Sequence, residues 1–347
     1  MKKLLAMVAA TALLAGCAGG SESSLEDKKK RTDAMFEQVL RTDAPGCSAA
    51  VAVKGEIVWA GARGLADAAA STPLTEQTIF DIASVSKQFT GAAIVMLERD
   101  GSLSRSDALS TFVSGLPLWA DDVTIDELLH HSSGIPDYVG LLNDSGTAID
   151  EPASQADAVA AIAQVPELEG KGRFAYSNSN YILLAEIVAA ASGTTLADYL
   201  QTEVFAPLDL DMRLEPALAG PEVALSYSGG KIAESAWTQV GDGSIYTTPS
   251  ELARWGDALR TGIDGFELAE ALAQEPISTG APDGSKYGAG LVVAEDGALS
   301  HLGGWAGFVT TFGVSADRST SIALSCNSVD AAADDLAKGL LNIWNPR

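Results

Sequence analysis

The sequence predicts an α/β fold of the α+β kind, in which strands from both chain ends build one sheet and a helical lobe lies between them. Three observations predict it. Strand-like segments cluster near residues 47–65 and again in the last third, long apolar helical runs fill the middle, and no repeat or linker divides the chain. With 347 residues, 47% hydrophobic and 20% charged, the chain can bury a large core as one domain or two intimate lobes.

The first element is a hairpin. Ala49-Ala50-Val51-Ala52-Val53 and Ile57-Val58-Trp59 flank Lys54-Gly55-Glu56 within Cys47 to Leu65. A helix follows from about Val85 to Arg99, apolar through Ala92-Ala93-Ile94-Val95-Met96-Leu97 and therefore buried on most sides. A second such helix runs from about Tyr181 to Ser192. Thr248-Pro249-Ser250-Glu251 joins an N-cap threonine, proline at the first helical position and glutamate three after the cap, which opens a helix over Leu252 to Leu259. Ala289 to Val293, Phe308 to Val314 and Thr320 to Ser325 read as strands, with turns at Asp296-Gly297 and Ala316-Asp317-Arg318. A helix from about Ala331 to Trp344 closes the chain.

The N-terminal residues read as a targeting segment. Lys2 and Lys3 precede the apolar run Leu4 to Ala15, too short for a stable spanning helix but suited to a secretory signal. Leu14-Ala15-Gly16-Cys17 resembles a bacterial lipobox, in which Cys17 is lipidated and becomes the mature N-terminus. The expected partition is a signal peptide over 1–16, a disordered lipidated tether over 17–31 and a globular domain over 32–347. A lipid anchor would hold the protein to a membrane at its periplasmic face, with the outer membrane the expected surface. The net charge is −24, and loss of Lys2 and Lys3 leaves 20 basic residues against 46 acidic, a charge of −26. Nucleic acid is excluded as a partner, because phosphate binding needs a basic face.

Ser84-Val85-Ser86-Lys87 carries the chemistry. A spacing of three on a helix puts Ser84 and Lys87 on one face, one turn apart. A serine hydroxyl is a weak nucleophile until a base takes its proton, and a buried amine can serve if it is neutral. The helix N-terminus offers N–H groups to a developing oxyanion. Alone, the spacing fits an N-capping serine and a solvated lysine as readily.

Four segments in order change that balance. Phe80-Asp81-Ile82-Ala83-Ser84-Val85-Ser86-Lys87-Gln88-Phe89-Thr90 resembles the nucleophile segment of class C β-lactamases and their serine-hydrolase and penicillin-binding relatives. Leu128-Leu129-His130-His131-Ser132-Ser133-Gly134 resembles the Leu-Leu-x-His-x-Ser-Gly segment of the same family, and Tyr176-Ser177-Asn178 its Tyr-x-Asn element. His301-Leu302-Gly303-Gly304 stands where the family has Lys-Thr-Gly or His-x-Gly. The resemblance spans about residues 47–330 and implies the mostly antiparallel β-lactamase/transpeptidase sheet flanked by helices.

It also implies roles. Ser84 would attack a substrate carbonyl, Lys87 would act as base or tune one, and the Tyr176 hydroxyl would relay the proton to the leaving group and later activate water. Asn178 would bond Lys87 or the substrate amide, His301 and Gly303 would contact substrate, and the N–H groups of Ser84 and Gly304 would form the oxyanion hole, Gly304 on an edge strand. A histidine in place of lysine weakens the site for a β-lactam carboxylate, so an esterase or D-amino-acid peptidase activity on a small molecule or peptide is expected ahead of antibiotic hydrolysis. No cofactor is implied. The adjacent His130 and His131 point about 100° apart on a helix, which argues against a metal site, and His131, Ser132 and Ser133 read as packing and turn residues. The substrate loops fall at about 143–156 and 220–242.

Setting Cys17 aside leaves Cys47 and Cys326, which composition alone leaves as two buried thiols or one bridge. In the resembled sheet the first strand pairs antiparallel with the last, which implies that the two cysteines oppose each other closely enough for a disulfide.

Overall fold

The computed structural model describes residues 24–344; the expected signal peptide, the lipobox-like segment with Cys17 and the start of the expected tether lie outside them. Eight strands form the main sheet: β1 (Cys47–Val53), β2 (Glu56–Arg63), β3 (Ile277–Ser278), β4 (Lys286–Tyr287), β5 (Val292–Val293), β6 (Leu299–Trp305), β7 (Phe308–Val314) and β8 (Thr320–Cys326). Their order is β3-β4-β5-β6-β7-β8-β1-β2, antiparallel throughout. The first strand thus zips onto the last, and the sheet closes around everything inserted between them.

Side-chain alternation sorts the two faces of β1. Cys47, Ala49 and Val51 join Trp59, Ile322 and Leu324 in a core beneath two terminal helices, α1 (Leu25–Val39) and α5 (Ala333–Trp344). Ala50 and Ala52 face the other way, into the main core with α4 (Pro249–Thr261). Layers of helix, sheet and helical lobe result. The lobe is built around α2 (Lys87–Arg99) and α3 (Asn178–Ser192), each buried over most of its surface.

The structure corrects the tether. Residues from Leu25 onward are helical, not disordered, because α1 has a side to bury. Phe36 packs edge-on to Trp59 at 5.1 Å between ring centroids, Trp344 Nε1 donates to Thr32 Oγ1 at 2.8 Å, and Trp59 Nε1 donates to Asp33 Oδ1 at 2.8 Å. Burial of Phe36 and Trp344 stabilises this seam by about 2–3 kcal/mol each. Within the charged run Glu26 to Arg31, Glu26, Asp27, Lys30 and Arg31 are exposed, while Lys28 Nζ lies 5.7 Å from the Trp344 ring centroid.

Other expectations shift in detail. The hairpin, both core helices and the Thr248-capped helix form, and the Thr248 side chain accepts from Glu251 N. Glu251 does not close the reciprocal half of the cap; its carboxylate accepts from Asp211 N at 3.1 Å and Arg254 at 3.0 Å instead. The strand expected over Ala289 to Val293 shrinks to two residues, while β6 is a full seven-residue strand. It is not an edge strand: it pairs with β7 along its whole length, and β5 covers only Leu299 and Ser300 on its other side. The uncovered stretch beyond Ser300 is the part that meets the Ala83–Ser86 turn.

Candidate active site

From Phe80 to Leu97 every residue is buried except Ser84. Its hydroxyl is presented from a 3-10 turn, Ala83–Ser86, that runs straight into α2. Ala83 takes a left-handed φ of 50°, and Asp81 Oδ1 accepts its N–H at 2.7 Å, which stabilises the sharp entry to the turn. Burial raises the Asp81 carboxyl to about 7, opposed by the bond from Ala83. Close approach of β6 to this turn requires glycine at 303: a Cβ there would lie 2.3 Å from the Ile82 carbonyl oxygen. Gly304, next along the strand, lines the same pocket as Ser84.

Lys87 has no exposed surface. Its Nζ donates to Ser84 Oγ at 3.1 Å, to Asn178 Oδ1 at 2.8 Å and to the Asp242 carbonyl at 2.7 Å. Three acceptors match the three N–H bonds of an ammonium. Loss of one proton would leave a lone pair for the Ser84 hydroxyl while the other two bonds hold the amine in place. Asn178 is oriented by Asp137, whose Oδ2 accepts from Asn178 Nδ2 at 2.9 Å, so the amide oxygen faces the lysine.

Aromatic rings wall off the other side of Lys87. Its Nζ sits 5.2 Å from the Tyr176 ring centroid and 5.6 Å from that of Tyr181, an arrangement in which each ring face attracts the cation. Tyr176 is half-buried and stacks on His131 at 4.3 Å between ring centroids. Lys87 therefore meets the ring face and not the hydroxyl of Tyr176. His131 Nδ1 accepts from Ser177 N at 3.3 Å and Asn180 Nδ2 at 3.0 Å, and burial followed by the positive Lys87 holds its pKa well below the usual 6.5. The imidazole is neutral and acts in packing.

Comparison with known proteins places this arrangement. The Beta-lactamase family model matches residues 32–342. This chain belongs to the Beta-lactamase family. It is 29% identical over 311 residues to penicillin-binding protein 4* of Bacillus subtilis, covering 82% of this chain and 68% of that one. It is 30% identical over 268 residues to a D-aminopeptidase of Brucella canis, covering 73% of this chain and 50% of that one, so it spans half the length of that relative. In fold it is similar to the penicillin binding protein from Bacillus halodurans, with a TM-score of 0.76 at 23% identity over 92% of this chain and 100% of that one. Membership in the Beta-lactamase family places the chain among serine hydrolases.

For this Beta-lactamase family member, one expected substrate contact needs correction. His301 is only 4% exposed. Its Nδ1 donates to the Leu302 carbonyl at 2.7 Å and its Nε2 accepts from the Tyr287 hydroxyl at 2.9 Å, so both ring nitrogens are taken inside the protein. Burial, then Lys87, pushes its pKa down to about 3. It is a neutral strand histidine that braces Tyr287 and offers no charge to a substrate anion. Gly303 is held in close packing against the Ile82 carbonyl.

Sequence reasoning placed a substrate loop over 220–242, which holds Trp237 and Asp242 of the pocket's far wall, but named neither residue and missed Tyr138 and Trp305. All four line the pocket with Ser84, Asn178 and Gly304. The two loops expected over 143–156 and 220–242 are tied to each other: Thr238 N donates to the Ala153 carbonyl at 2.9 Å and Trp237 Nε1 to the Ala148 carbonyl at 2.9 Å. Trp237 is thereby fixed at the pocket. No short-range pattern marks these residues; the isolated Gly241-Asp242-Gly243 was the single available cue, and only the fold brings it beside Lys87.

Proposed function

We propose that this protein cleaves an ester or amide by acyl transfer through Ser84. The observation that carries the reading is the buried Lys87 amine 3.1 Å from the one open hydroxyl of the segment, in a pocket shared with Gly304. In the proposed cycle Lys87, neutral at that instant, accepts the Ser84 proton as Oγ bonds to the substrate carbonyl carbon. The N–H groups of Ser84 and Gly304 receive the oxyanion. The Tyr176 hydroxyl passes a proton to the departing alkoxide or amine, the carbon–heteroatom bond breaks, and water then releases the acid from Ser84 by the reverse proton path.

The inward-facing, neutral His301 supports an ester or amide substrate over a carboxylate-bearing β-lactam, since it supplies no cation where such a carboxylate would need one. We further propose that the protein acts at the periplasmic face of a bacterial membrane, held by lipid on Cys17. The lipobox-like Leu14-Ala15-Gly16-Cys17 supports the anchor, and the bond between Cys47 and Cys326 suits an oxidising compartment.

Steady-state turnover of a panel of p-nitrophenyl esters and amino-acid amides, by protein starting at Ser24, tests the activity. Catalysis by the native protein that Ser84→Ala abolishes is expected. A label that forms on Ser84 and never leaves would replace hydrolysis with a binding role.

A further inference from the structure

The substrate pocket holds one side-chain carboxylate, that of Asp242. Its Oδ2 accepts from the Tyr138 hydroxyl at 3.1 Å, a neutral partner, and among the described residues no basic side chain makes a salt bridge to it. Lys87 reaches the main-chain carbonyl of Asp242 and not its carboxylate, and its three N–H bonds are all committed. Two indoles complete the wall: Trp237 and Trp305 line the pocket with ring centroids 5.8 Å apart, tilted by 45°. A carboxylate with no cation bonded to it, beside two indoles, is the chemistry that holds a protonated amine, through a charge-assisted hydrogen bond and the ring quadrupoles.

Position narrows the ligand further. The Asp242 carbonyl is 2.7 Å from the same Nζ that lies 3.1 Å from Ser84 Oγ. Asp242 and Ser84 also line one small pocket, so a cation held there by the Asp242 side chain lies close to the carbonyl under attack, as an α-amine does and a charge on a distant leaving group does not. We infer that Asp242, Trp237 and Trp305 form a subsite for a free α-ammonium group, so that the enzyme selects aminoacyl esters and amides with an unblocked amine. The inference rests on the acyl-Ser84 reading for its catalytic consequence, but amine binding at Asp242 can be read without turnover.

The electrostatics agree. Burial raises the Asp242 carboxyl above its ordinary range, Lys87 opposes in part and Asp137 raises it further, so a bound ammonium would add favourable charge to a carboxyl that Lys87 compensates only in part. Tyr138 also faces this carboxylate, and Asp81 interacts with it across the Ser84 turn.

The test uses matched pairs at pH 7. Alaninamide, D or L, and propionamide differ by one amine; binding to Ser84→Ala protein, measured by calorimetry, should favour the amine by about 10-fold or more. In active protein, kcat/KM for alanine p-nitroanilide over propionyl p-nitroanilide should show the same preference and lose it above about pH 8, where the α-amine deprotonates. Asp242→Asn should bring both ratios to within about threefold of one, and Trp305→Leu, which leaves the Asp242 hydrogen bonds alone, should lower them in part. Equal binding of the two amides by Ser84→Ala protein, or an amine preference that survives Asp242→Asn in a folded variant, would overturn the subsite. Amine-selective binding without turnover of any substrate would instead refute the acyl-transfer reading and leave the subsite standing.

Discussion

Asn178 Oδ1 lies 2.8 Å from Lys87 Nζ, and the other end of the same amide is held by Asp137 at 2.9 Å. The amide is locked with its oxygen toward the lysine, and the lysine in turn is held toward Ser84. Removing the amine itself should be severe: Lys87→Ala is expected to reduce kcat/KM by about two to four orders of magnitude, the usual scale for a positioned base. Asp137→Ala leaves every reacting group in place but frees the amide and also removes the cap that Asp137 Oδ1 places on Val139 N, so a loss of about 10-fold, mostly in kcat, is expected together with a small loss of stability. Equal losses in the two variants, measured by ester hydrolysis, would contradict the orienting chain.

Tyr176 presents its ring face to Lys87. If its hydroxyl carries the leaving-group proton, Tyr176→Phe keeps the cation–ring contact and removes only the relay. Turnover should fall by about 10²–10⁴, with folding stability nearly unchanged. Near-normal rates in this variant would assign the relay to another group or to water.

Cys47 opposes Cys326 in the β1–β8 register, and the two are bonded across 279 residues of sequence. A loop of that length restricts the unfolded chain, so the bridge should contribute up to about 5 kcal/mol. Urea titration of Cys47→Ser/Cys326→Ser protein should show a clearly lower midpoint than the oxidised native protein. Matching midpoints, with and without reductant, would show that the bridge does not form in solution.

His301 should make stability depend on acidity. Its folded pKa, about 3, lies below the unfolded value near 6.5. The stability it confers is therefore complete above about pH 6.5 and is lost as pH falls toward 3. Relative to His301→Gln, the native protein should lose about 1.4 kcal/mol per pH unit between about pH 6 and 4. Asp81, raised by burial to about 7, has the opposite sign: its contribution is full below about pH 4 and is lost as pH rises through 7. Thermal melts of both proteins across this range would detect the effect, and parallel curves would mean that His301 is not held neutral.

Much of this was legible because local chemistry and long-range packing agreed. Ser84 and Lys87 share a helix face by spacing alone, Thr248 caps its helix, and the β1–β2 hairpin is marked by apolar and β-branched runs on either side of Lys54-Gly55-Glu56, with β1 buried on both faces. Strand β6 was not, since its pattern runs against hydrophobicity: His301 and Gly303 are buried while Leu302 is exposed. Its inward residues are small or polar because they meet the Ser84 turn and Tyr287, a demand set by residues more than ten positions away. The same holds for α1, whose buried face is only Thr32 and Phe36 on a highly charged helix. Asp242 approaches Lys87 across 155 positions, and no periodicity records such a contact.

The account depends above all on covalent chemistry at Ser84. Intact-mass spectrometry after brief exposure to a reactive ester measures it most directly, with peptide mapping to locate the label. The predicted result is one added acyl group on native protein, mapped to Ser84, decaying with time and missing from Ser84→Ala. An adduct of equal yield on Ser84→Ala protein would contradict the assignment of the nucleophile.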